Sequence, residues 1–139
     1  MPDFFTTMLE AQLELQRRHM GGDPRHLDGN DMADFMRWNA FALEDEIHEA
    51  MQEVGWKPWA TDRTINVTEF VREMVDAFHF YMNMLLCATG MEPSDLVDMF
   101  FRMYMEKNAE NARRQIEGYT GLEKCRECGR EVGHCDHVQ

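Results

Sequence analysis

The stretch Glu69–Leu86, EFVREMVDAFHFYMNMLL, decides the fold. From Met74 to Leu86 it is apolar nearly all round, and no Gly or Pro interrupts it. A helix with apolar groups on most of its sides must be covered on most of them. It therefore belongs in the middle of a bundle or at a subunit interface. Asn66, with Glu69 three residues later, reads as a capping box that opens this helix, which continues to Thr89.

Three more helices flank it in sequence. Helix one is expected from Asp3 to His19, with Phe4, Met8, Leu9, Leu13 and Leu15 near helical spacing and Gly21-Gly22 at its end. A polar loop containing Pro24 fills Gly21 to Asn30. Helix two runs from Asp31 to Val54, where Gly55 breaks it. The connection GWKPWATDRTIN is too rich in Pro, Thr and aromatic residues to stay helical. Helix four starts at Ser94, after Pro93, and runs to Glu117, with Gly118 and Gly121 punctuating its end. The expected fold class is all-α: a four-helix-bundle domain over residues 1–120, followed by a small tail over residues 121–139.

A chain of 139 residues suits one domain with a single core, and 44% hydrophobic content is that of a globular protein. The thirteen methionines read as adaptable core packing rather than as a cofactor box. The formal net charge of −12, with no basic stripe, would repel bulk nucleic acid and anionic lipid. Neither a nucleic acid nor a membrane is expected as a partner, and a negatively charged substrate would need a cation between it and the protein. No apolar run approaches a membrane span, and MPDFFTTMLEAQ has neither a basic n-region nor a small-residue cleavage site. Three of the four cysteines lie together beyond position 124, which is not a distributed disulfide framework. A cytoplasmic protein is expected.

Helix two carries Glu46-x-x-Glu49 and helix three carries Glu73-x-x-Asp76. Positions three apart lie on one helical face, so each pair points two carboxylates one way. Should these helices pack side by side, four carboxylates converge. Such a cluster is unfavourable until divalent cations remove the repulsion, and an all-oxygen ligand set favours Mg²⁺ or Mn²⁺. A run of acidic residues on helix two is also what a solvated face looks like. Glu73 and Asp76 enter the most apolar helix, where a buried carboxylate needs a partner and only Arg72 lies near in sequence. His79, three residues past Asp76, either orients that carboxylate or is a core histidine with its own partner.

On helix four, Tyr104, Lys107, Asn108, Asn111, Arg114 or Gln115, and Gly118 step along one face. Cations and amides in such a stripe neutralise phosphate oxygens and hydrogen-bond a sugar or base. An exposed face with cations near a helix C-terminus gives the same pattern.

Three segments, ALEDEIHEAMQEVGWKPW, EFVREMVDAFHFYMNMLL and YMEKNAENARRQIEGYTG, together resemble the all-α nucleoside triphosphate pyrophosphatases, in particular the dimeric dUTPase branch and its short phage-type members. The resemblance covers Met8 to Gly121. It implies hydrolysis of the α–β phosphoanhydride of a deoxynucleoside triphosphate, dUTP foremost, to the monophosphate and pyrophosphate. It implies two or more Mg²⁺ ions per site on Glu46, Glu49, Glu73 and Asp76, an attacking water activated by them, and Glu46 or Glu49 as general base. It implies phosphate contacts from Lys107, Asn111 and Arg114, with Asn108 and Tyr119 in support. Lys57 would reach the phosphates or close the site, and Trp56 and Trp59 would shape the base pocket. The dimeric dUTPases read uracil with a glutamine followed three residues later by an asparagine on the first helix. Gln12 and Gln16 stand in that segment here, so a base other than uracil stays open. A homodimer in a bacterial or phage-infected cell is the implied setting. A different class of function also stays open, a non-catalytic helical interaction module.

The tail, KCRECGREVGHCDHVQ, places Cys125-x-x-Cys128 ahead of His134, Cys135 and His137. Two thiolates in a knuckle plus a third thiolate and an imidazole make a tetrahedral structural Zn²⁺ set. Cys125, Cys128, Cys135 and His137 are the expected ligands. His137 is preferred to His134 because a ligand adjacent to Cys135 strains the chain.

Overall fold

Asp3 starts the first helix by satisfying its open N–H groups: its carboxylate accepts from the Thr6 N–H at 2.8 Å and from the Thr6 hydroxyl at 2.6 Å. The computed structural model describes residues 3–117. Among them are four α-helices: α1 (Phe4–Met20), α2 (Gly29–Gln52), α3 (Val67–Thr89) and α4 (Pro93–Glu117). The tail expected to bind zinc, Tyr119 and Gly118 lie outside the described residues. The chain divides into a unit ending at Phe100 and a second beginning at Phe101.

In the first unit α3 is the central element. It packs chiefly on α2 and also against α1 and the Pro24–His26 segment. Leu9 and Leu13 of α1, Met82 and Leu86 of α3, and Leu96 of α4 form the buried core. Fully burying a leucine is worth about 2 kcal/mol, so these few side chains carry much of the unit's packing energy. Phe5, Phe78, Tyr81 and Phe100 extend the core as an aromatic cluster with centroids 5.7–6.3 Å apart. Pro93 opens α4 at a position where its missing N–H costs nothing.

The expected polar loop around Pro24 is instead an anchor. Pro24–His26 forms a 3₁₀ turn, Pro24 is buried, and Arg25 enters the interior with its side chain 5% exposed. Arg25 pairs with Asp23 at 2.8 Å and with Glu92 at 2.8 Å, and it donates to the Met91 carbonyl. The Asp23 carboxyl is held far below the usual carboxylate range, first by its hydrogen bond to Arg25. This ties the α1–α2 connection to the α3–α4 turn. Gly90 ends α3 with φ +63°, and a Cβ there would sit 3.3 Å from the Arg25 carbonyl oxygen.

Only half of the expected capping box forms. The Asn66 side chain accepts from the Glu69 N–H at 3.4 Å, but the Glu69 carboxylate turns to Arg72 at 2.6 Å. The Asn66 N–H donates instead to the Glu53 carbonyl, which stitches the end of α2 to the start of α3. Between these ends the connection is closed on itself. Gly55 adopts φ +56°, because a Cβ at that position would lie 2.8 Å from Arg63 Cα.

Candidate active site

Close packing of α2 on α3 brings the acidic pairs together. Glu46, Glu49 and Glu73 each offer an oxygen, and these oxygens lie within 4.8 Å of one another. Glu46 and Glu73 are half-buried, while Glu49 is exposed. The Glu46 carboxyl is pushed above its ordinary range, first by burial and then by the charges of Glu49, Asp76 and Glu73. Asp76 thus belongs to the same electrostatic cluster. It is exposed rather than buried, because α3 leaves Val71, Met74 and Val75 uncovered on that part of its surface. Arg72 does not serve the cluster, since its partner is Glu69.

The cluster fits a hard divalent cation. Oxygens around Mg²⁺ stand about 3 Å apart when adjacent and about 4.2 Å apart when opposite. Carboxylates already within 4.8 Å need only a small closure to reach that geometry. The donor set is all oxygen, and the repulsion that raises Glu46 is what a cation would relieve.

Further along the same two helices is an open cavity of about 480 Å³. Phe35, Trp38 and Phe80 give it aromatic walls, and Gln16, Asn39 and Asn83 give it amides. Asn39 lies seven residues before Glu46 on α2, and Asn83 lies seven residues after Asp76 on α3. Seven residues are two turns, which keeps the same helical face and advances about 10 Å. Cavity and carboxylates therefore lie about two helical turns apart along α2 and α3.

Beneath the cavity runs a buried polar chain. His79 Nδ1 bonds Gln12 Oε1 at 2.6 Å, and Gln12 Nε2 donates to Asn83 Oδ1 at 2.7 Å. Asn83 Nδ2 donates to Asn39 Oδ1 at 2.8 Å, and Asn39 Nδ2 donates to the Phe35 carbonyl at 2.8 Å. Gln12, Asn39 and Asn83 are at most 5% exposed. Gln12 is spent on this chain, while Gln16 lines the cavity. His79 has a core partner, Gln12, rather than a demonstrated role at Asp76.

The connecting loop holds Trp56 and Trp59 edge to face at 6.4 Å, with the Lys57 ammonium over the Trp56 ring at 5.9 Å. Both indoles are substantially exposed, and neither is among the residues that wall the cavity. In the second unit Lys107 pairs with Glu110 at 2.7 Å, and Arg114 pairs with the same carboxylate. Hydrogen bonding to Lys107 is the main reason that the Glu110 carboxyl lies below its ordinary range. Tyr104, Asn108 and Asn111 are exposed on the same helix.

A family model for dUTPase matches residues 5–95, which contain the whole acidic cluster and the whole cavity. The chain belongs to the dUTPase family. It is a nucleoside triphosphate pyrophosphatase of the all-helical kind, which sets aside the non-catalytic interaction module. Two curated relatives are similar to this dUTPase-family chain. A dCTP pyrophosphatase of Enterobacteria phage LZ5 is 28% identical over 84% of this chain and 83% of its own length. A dCTP pyrophosphatase of Enterobacteria phage T4 is 28% identical over 64% of this chain and 63% of its own length. No solved structure matches the chain significantly. Among the described residues, no helix is long and apolar enough to cross a membrane.

Asn39 and Asn83 are the site residues that sequence reasoning missed. A signal was present in the single asparagine inside the apolar run of α3, and in the seven-residue offsets from Glu46 and Asp76.

Proposed function

We propose that this protein hydrolyses a pyrimidine deoxynucleoside triphosphate, dUTP or dCTP, to the monophosphate and pyrophosphate with Mg²⁺. The observation that carries this is the spacing of cavity and cluster. A cavity with aromatic walls and amides stands about 10 Å from a carboxylate cluster, which suits a base at one end and its polyphosphate at the other. Glu46, Glu49, Glu73 and Asp76 would hold two or more Mg²⁺ ions, and bound Mg²⁺ neutralises phosphate oxygens and eases deprotonation of the attacking water. Phe35, Trp38 and Phe80 offer aromatic surface for the base. Lys107, Asn108, Asn111, Arg114 and Tyr119 are proposed as phosphate ligands from their motif, as is Lys57 from the loop.

The family favours dUTP and the two phage relatives favour dCTP. Pyrophosphate release across the four dNTPs plus dUTP, with Mg²⁺ and with chelator, tests the reading. Release from dUTP or dCTP that stops with chelator, and stops in Glu49→Gln or Asp76→Asn, is expected. Absence of Mg²⁺-dependent release from every nucleotide would refute the reaction, and undiminished release in either variant would refute the site.

We further propose one structural Zn²⁺ on Cys125, Cys128, Cys135 and His137, checked by metal analysis of wild type and Cys125→Ser. The exposed stripe of Val67, Val71, Met74 and Val75 on α3 supports pairing of two copies, checked by sedimentation. A monomer at all concentrations would refute that pairing.

A further inference from the structure

The chain from His79 through Gln12, Asn83 and Asn39 to the Phe35 carbonyl can hold its amides in one orientation only. A backbone carbonyl accepts and never donates, so Asn39 must turn its NH₂ to Phe35. Its oxygen then faces Asn83, which must answer with its own NH₂. The Asn83 oxygen in turn requires the Gln12 NH₂, and the Gln12 oxygen requires a proton on His79 Nδ1. One carbonyl at the end of the chain settles every amide in it.

This matters because amides are otherwise ambiguous readers of a base. A primary amide free to turn over presents a donor or an acceptor at the same place, so it meets a 4-oxo or a 4-amino pyrimidine equally well. A fixed amide meets one and opposes the other. Asn39 and Asn83 both line the cavity, and each keeps one N–H and one oxygen lone pair outside the chain. Gln12 does not line it. We propose that Gln12 is a positioning residue that, by bracing Asn83 in the orientation the Phe35 carbonyl dictates through Asn39, sets whether the cavity accepts a 4-oxo or a 4-amino pyrimidine. This rests on placement of the base in that cavity, as proposed above. A site built to hydrogen-bond one pattern of groups rejects the mismatched one strongly, because its buried polar groups are left unpaired.

The test compares kcat/KM for dUTP and dCTP. Wild type should prefer one of them by about tenfold or more. Gln12→Glu replaces the donor facing Asn83 with an acceptor, so no orientation of Asn83 satisfies both the new carboxylate and the Asn39 oxygen, while His79 gives the carboxylate a partner. The preference should then fall by about tenfold or more, toward a ratio of one. Asn39→Leu removes the link to Phe35 and should bring the ratio toward one. A second readout needs no variant: ¹⁵N NMR of the wild-type imidazole should show His79 protonated at Nδ1. A lone pair at Nδ1 overturns the proposal, as does an equal loss on both substrates in a folded variant. Equal loss leaves the pyrophosphatase reading standing. Wild type inactive on every nucleotide would overturn both.

Discussion

Glu46→Gln should make the protein more stable without metal and less stable with it. Glu46 stands within 4.8 Å of both Glu49 and Glu73. A like-charged pair at that separation costs about 3.5 kcal/mol at an effective dielectric of about 20, and about 0.9 kcal/mol in bulk water. Glu49 is exposed and Glu46 only half-buried, so solvent screening favours the lower figure. The two pairs removed are together worth about 2 kcal/mol, or about 6 °C in Tm for a chain of this size. Thermal melts at pH 8 in chelator should show the variant above wild type by that margin. In saturating Mg²⁺ the order should reverse, because wild type gains binding free energy that the variant has lost. The pH dependence has a definite sign. Since the folded-state Glu46 carboxyl is raised above the ordinary 4.5, its contribution is fully present below 4.5 and lost as pH rises through the raised value. Metal-free wild type should therefore carry a downward slope in Tm over that window, which the variant lacks. A variant less stable than wild type in chelator would refute the account of the cluster as uncompensated charge.

Gly55→Ala places a Cβ against Arg63 Cα and forces a left-handed conformation on alanine, so a loss of about 2 kcal/mol or more is expected in urea titration, with altered Trp56 and Trp59 fluorescence. Arg25→Met leaves Asp23 with Arg17 alone and the largely exposed Glu92 without a cation, and should cost about 1 kcal/mol, read by the same titration. Glu110→Gln removes the internal competitor for Lys107 and Arg114, so KM for the triphosphate should fall by about threefold in steady-state assays; a rise would count against those residues as phosphate ligands.

The helices were legible because their signals are local. Apolar periodicity, Asn66 as a cap, and Gly21 and Gly55 as stops place each helix within a few residues of its observed ends. The acidic pairs were legible for the same reason, since three-residue spacing needs only a helix. Their convergence was a conditional expectation, met once α2 lay along α3. What remained hidden depends on partners distant in sequence. Nothing around Pro24 announces that Arg25 will find Glu92. Asn83 looked like an isolated polar residue because its partners, Gln12 and Asn39, lie on two other helices. Asp76 was expected to be buried from its apolar neighbours, but Val75 beside it is itself exposed.

The seven-residue offset along both α2 and α3 makes the distance from cavity to cluster a gauge. Its two ends are held apart by helical rise alone, with no loop between them to stretch. Inserting one residue between Asn39 and Glu46 would swing the acids by about 100° about the α2 axis relative to the amides. On the proposed placement of the nucleotide, the span from ring to phosphate is written into the backbone pitch, and the chain could alter which ring it admits without altering where it cuts.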